Sequence, residues 1–149
     1  MQRSYITQQA ENLIRQCATR DPFEIAKALG LRIQFADIGT LKGFYTILEG
    51  QHFVVINNQL DARQAAGVLA HEIGHDRLHR CFAGKDSMQN TMFYDMAQQP
   101  EREADLFAAA LLLDKNVVEP MAESGQTATQ IAAALGVPTK YVKLYFENR

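Results

Sequence analysis

The chain has 149 residues, the length of a single domain at roughly 100–200 residues each. Apolar residues make up 47% and charged residues 21%, with fifteen basic against seventeen acidic side chains for a net charge of −2, which excludes an overall basic surface built to coat nucleic acid or an anionic membrane. The longest apolar run, residues 106–113, is far short of the ~20 residues needed to span a bilayer, and the opening MQRSYITQQAENLI lacks an apolar core and cleavage site for secretion, so a cytoplasmic location is expected.

Ile6, Ala10, Leu13, Ile14 and Cys17 recur at helical spacing, predicting an amphipathic helix over about 5–20. Cys17 and Cys81 are too few for a disulfide framework and read as free thiols. Asp21, Pro22 and Glu24 supply an N-cap, a proline at the first helical position and a capping-box acid for a short helix that Gly30 ends. The period then changes. Leu31, Ile33 and Phe35 alternate with Arg32 and Gln34 as in a half-buried strand. Residues 44–48 and 52–56 are two more strands, joined as a hairpin through Glu49, Gly50 and Gln51.

Asp61, with Gln64 three residues on, caps a helix running to about residue 80. Residues 81–99 show no clean period and read as a long loop. Its Met88, Met92, Phe93, Tyr94 and Met96 suit either an adaptable peptide pocket or a satellite core. Pro100 opens the next helix, ending near Asp114, and short helices follow over about 116–123, 129–135 and 139–147. The order predicts an α+β fold, mostly helical with a small three-stranded antiparallel sheet, in one domain spanning 1–149.

The central helix carries His71-Glu72-Ile73-Gly74-His75. Histidines four apart project from one helical face and can close on one ion. Glu72, one residue round from His71, is placed to act as general base on water polarised by that ion. Gly74 disfavours helix by about 1 kcal/mol relative to alanine, and its bare backbone lets another segment approach. A catalytic zinc ion usually takes three protein ligands plus water.

Glu101-Arg102-Glu103-Ala104-Asp105 offers the third ligand. Glu101 and Asp105 share a helical face, so Glu101 could bind the metal while Asp105 accepts the outer N–H of a ligand histidine. Glu103 points away by about 160–200° and is the poorer ligand. Acids in a first turn also simply complement the helix dipole. His79 extends the series of histidines but would lie ~12 Å along the axis from His71, so it reads as a group behind the ligands or at the helix end.

HEIGHDRLH at 71–79 and EREADLFAAALLL at 101–113 resemble the ImmA/IrrE family of metallo-endopeptidases. The resemblance runs from Tyr5 almost to the end and includes Leu41-Lys42-Gly43-Phe44-Tyr45 and Phe53-Val54-Val55-Ile56-Asn57. It implies a minimal zincin-like fold with one Zn2+ per chain on His71, His75 and Glu101, and Glu72 as catalytic acid/base. It also implies an anti-repressor role: cleavage of a helix-turn-helix repressor encoded nearby, derepressing a phage, mobile element or stress regulon. Family helices often end in Leu-Leu-Met-Pro, whereas this one reads Leu112-Leu113-Asp114-Lys115, a change at a helix exit and not at a ligand.

A substrate in extended form could add to an edge strand of the 44–56 hairpin. His79, Tyr45 and Tyr94 are candidates to stabilise the oxyanion, the two tyrosines as substrate-binding groups. Residues 125–149 resemble a helix-turn-helix unit, yet Lys140, Lys143 and Arg149 are a thin basic footprint, opposed by Glu147. A structural helix pair is the preferred reading there, with no DNA-binding residues assigned. The competing function is a regulatory protein- or DNA-binding module that keeps a metal site for stability or sensing.

Overall fold

Local sequence signals account for most element boundaries in the computed structural model, which describes residues 1–79 and 98–147. Helix α1 (Arg3–Cys17) buries Ile6, Ala10 and Leu13. Helix α2 (Pro22–Leu29) starts with the Asp21 carboxylate accepting from the Phe23 amide and ends at Gly30, whose φ of 75° favours glycine. Strands β1 (Arg32–Ala36), β2 (Gly43–Leu48) and β3 (Gln51–Asn57) form one sheet. Helix α3 (Ala62–Leu78) opens on the Asp61–Gln64 capping box, both reciprocal bonds being formed.

Helix α4 (Gln98–Leu112) begins two residues before Pro100, so the proline lies in the first turn, where no intrahelical amide bond is lost. Asp114 caps α5 (Lys115–Glu123), and α6 (Ala128–Leu135) and α7 (Thr139–Phe146) complete seven helices among the described residues. The architecture is α+β.

The sheet is mixed rather than purely antiparallel. Its order is β1-β3-β2, with β2 antiparallel and β1 parallel to β3. The hairpin sets the β2–β3 pairing, Tyr45 opposite Val54. The chain leaves β1, forms β2 at the far edge and returns between them, which makes β1 and β3 run the same way. β3 takes the centre because Val54 and Ile56 are completely buried, and a central strand satisfies both its backbone edges.

Helix α3 lies over β2 and β3, α4 packs on α3, and α1 and α7 flank α4. Leu69 and Ile73 of α3, Phe107 and Leu111 of α4, and Ile6 of α1 meet in one continuous apolar core. Arg20 donates to the carbonyls of Ala110, Leu111 and Leu113 at 3.1, 3.1 and 3.3 Å, closing the C-terminal end of α4 with a cation. No helix among the described residues is long and apolar enough to cross a membrane.

Candidate metal centre

The centre is built where α4 crosses α3. Gly74 makes that crossing close: a Cβ there would stand 3.2 Å from both the Cα and the carbonyl oxygen of Ala104. With the helices this near, Glu101 reaches the two histidines one turn apart on α3. Its Oε2 lies 2.9 Å from His71 Nε2 and its Oε1 2.8 Å from His75 Nε2. One donor atom from each of the three residues falls within 4.8 Å of the others.

Two imidazole nitrogens and a carboxylate are the donor set of a His2Glu zinc site. Ligand atoms on a tetrahedral zinc ion stand about 3.3 Å apart, so the two carboxylate–imidazole distances fit after opening by a few tenths of an ångström. The Glu101 side chain is 43% exposed against 14% and 16% for the histidines, so the cluster opens to solvent on the Glu101 side. An open groove of about 560 Å³ begins there, lined by Glu101, Arg102, Asp105, Lys140, Lys143 and Leu144 among others.

Burial disfavours charge on His71, yet its bonds to Asp105 and Glu101 outweigh that and push its pKa up to about 10. Burial likewise works against the Glu101 charge, and the two histidines override it, holding the carboxyl far below the usual range. Glu72 behaves oppositely: its burial raises its pKa, while the positive charge of His71 and His75 pulls the other way. The residue is buried. A buried carboxylate pushed toward neutrality is suited to take up and return a proton.

Behind the ligands, His71 Nδ1 lies 2.8 Å from Asp105 Oδ1. Lys140 Nζ sits 3.3 Å from the other oxygen of Asp105, so this basic residue of the helix-turn-helix-like tail faces the metal centre. Tyr141, Val142 and Leu144 of α7 are buried, and the tail packs on α4. His79 caps α3, with its Nδ1 3.0 Å from His75 Nδ1.

Among the described residues, the hydrogen bonds of Tyr45 run to His52 of β3 and Asp76 of α3 rather than to the ligand cluster. Its hydroxyl donates to the fully buried Asp76 at 2.6 Å, and His52 Nδ1 lies 2.9 Å from the same oxygen. This cluster ties the β2–β3 hairpin to α3. Tyr94, Cys81 and the methionine-rich loop lie outside the described residues.

Three contributors escaped the sequence reading. Glu103 does point away from Glu101, but the face it occupies meets His79, 2.9 Å from its Nε2. The amino group of Met1 also lies 3.1 Å from Glu103. Tyr141 is buried with its hydroxyl donating to the Gly67 carbonyl at 3.4 Å. Burial, then the charges of Asp105, Glu72 and Glu101, push its phenol well up, so it stays neutral beside the acids. His52 has no helical or metal-ligand spacing to mark it. Only for Glu103 was a signal present: an acid flanked by Glu101 and Asp105, opposite a run of three histidines.

The relative "Uncharacterized immunity region protein 2" of Bacillus phage phi105 is 29% identical over 135 residues, covering 90% of this chain and 84% of that protein. The family described as Peptidase_M78, IrrE N-terminal-like domain, matches residues 26–145, which include every element from β1 to α6 and most of α7. The chain therefore belongs to the Peptidase_M78 family of IrrE N-terminal-like domains.

Proposed function

We propose that the chain is a zinc-dependent endopeptidase, acting as one catalytic domain in the cytoplasm, that hydrolyses a peptide bond in a helix-turn-helix repressor. The observation that carries this reading is the convergence of His71, His75 and Glu101 beside the buried Glu72. Zn2+ held by that trio would act as a Lewis acid on the scissile carbonyl and lower the pKa of water. Glu72 accepts the proton of the attacking water and returns it to the leaving amine. Its burial favours the protonated form that the second transfer needs. Asp105 holds the His71 ring in place through Nδ1.

The substrate binds as an extended segment. Among the described residues β2 is an edge strand and packs beside α3, and a substrate segment would align along it as an added strand. The groove between α4 and α7 gives room for flanking side chains. The immunity-region name of the phage relative supports a repressor as substrate and derepression of a phage or mobile element as outcome.

The test combines Zn2+-loaded protein with the repressor encoded beside its gene. Wild type cleaves it, Glu72→Gln binds Zn2+ without cleaving, and Glu101→Ala loses the metal. Equal cleavage by wild type and Glu72→Gln refutes the role of Glu72. Binding of an operator without any cleavage establishes the regulatory-module alternative instead.

A further inference from the structure

The two ligand histidines are braced differently. His71 meets a carboxylate directly, Nδ1 to Asp105 at 2.8 Å. His75 instead meets another imidazole, Nδ1 to His79 Nδ1 at 3.0 Å, and the far nitrogen of His79 meets Glu103 Oε1 at 2.9 Å. His79 and Glu103 are 3% and 7% exposed. The His79 amide also donates to the His75 carbonyl at 2.8 Å, and its backbone leaves the helical region there (φ −128°), which holds the ring against His75.

We propose that Glu103, acting through His79, is the positioning residue that fixes His75 as an Nε2 ligand. The inference rests on the reading of His71, His75 and Glu101 as a metal site, and the contacts of His75 and His79 among the described residues then favour one arrangement of protons. A metal on His75 Nε2 uses that lone pair, so the ring's single proton sits on Nδ1 and must be donated. The acceptor facing it among the described residues is His79 Nδ1. His79 therefore keeps its own proton on Nε2, where the Glu103 carboxylate, an acceptor only, receives it. Among the described residues each proton then meets an acceptor along the chain Glu103–His79–His75.

The reverse arrangement fails at both ends. A proton on His79 Nδ1 would oppose the N–H of His75, and a bare His79 Nε2 would face the lone pairs of Glu103. Glu103 thus selects the His79 tautomer, and His79 selects that of His75. A carboxylate–histidine pair behind a metal ligand commonly orients that ligand and raises its basicity. Here the brace reaches the metal through one additional ring, and its carboxylate comes from α4, the helix that also carries Glu101 and Asp105. One rigid segment therefore supplies a ligand and supports both others.

The experiment is long-range proton–nitrogen NMR of the histidine rings in the full chain loaded with Zn2+, alongside competition titration of Zn2+ affinity. Expected in wild type are His75 protonated at Nδ1 and His79 protonated at Nε2. Glu103→Ala lowers Zn2+ affinity by roughly 10–100-fold and mixes the His79 tautomers. Glu103→Gln, which keeps an acceptor oxygen, retains the wild-type tautomers and loses less affinity. His79 protonated at Nδ1 in the loaded wild type overturns the proposal, and this measurement needs no substitution. A folded Glu103→Ala that binds Zn2+ as tightly as wild type with unchanged tautomers overturns it too. If Glu101→Ala takes up Zn2+ as well as wild type, the metal-site reading itself has failed, and the proposal falls with it.

Discussion

Gly74→Ala tests whether the metal centre depends on the close crossing of α3 and α4. The new methyl carbon would stand 3.2 Å from Ala104 Cα, Ala104 O and Phe107 Cβ, inside the ~3.5 Å at which carbon atoms make favourable contact. All three atoms are backbone or fixed directly to it, so relief requires α4 to shift by a few tenths of an ångström. Alanine improves helix propensity by about 1 kcal/mol, whereas overpacking a core contact costs about 1–3 kcal/mol. The net is a loss near 1 kcal/mol, a fall in Tm of ~2–4 °C for a chain of this length. Because Glu101 and Asp105 ride on α4, Zn2+ affinity falls as well. Gly67→Ala is the control, since its Cβ would meet only Pro138 Cδ at 3.7 Å, and it should stabilise by up to about 1 kcal/mol. Calorimetry and competition titration of both variants give the answer. Equal stabilisation by the two, with unchanged metal affinity, would refute the reasoning.

Metal binding should be proton-coupled. The pKa of His71 is raised to about 10 from its ordinary value, so below that pH an incoming ion must displace a proton, and apparent Zn2+ affinity should rise about tenfold per pH unit between about pH 6.5 and 8.5. The same shift stabilises the metal-free fold fully below about pH 6.5, and that stability is lost as pH rises through about 10; denaturant titrations of metal-free protein read the loss directly. Tyr45→Phe removes a donor to the buried Asp76 and should cost about 1–3 kcal/mol in denaturant unfolding, leaving KM for a cleaved peptide unchanged. A raised KM with unaltered stability would instead support Tyr45 as a substrate-binding group. Arg20→Ala uncaps three carbonyls at the end of α4 and should lower stability by about 1–2 kcal/mol, seen as a lower Tm with Glu72 chemistry intact.

Much of the local structure was legible from adjacent residues. Asp61 and Gln64 predict the start of α3, Gly30 the end of α2, and Glu49-Gly50 the β2–β3 hairpin, because caps and tight turns are satisfied within a few residues of chain. The four-residue spacing of His71 and His75 puts both rings on one side for the same reason, and the i,i+4 relation of Glu101 and Asp105 lets each face His71. What spacing within one element cannot express is which other element a face will meet. The β1–β3 pairing is parallel because β3 takes the buried centre of the sheet, a choice that depends on everything packed over it. Glu103 pointed the wrong way relative to Glu101 and still joined the site, because the end of α3 brings His79 to its side. Lys140 belongs to a helix resembling a DNA reader, yet the docking of α7 on α4 sets its ammonium beside Asp105. Near-neighbour chemistry thus determined the elements and the His71–His75 pair, while burial, acting across the whole core, decided which side chains stand behind that pair.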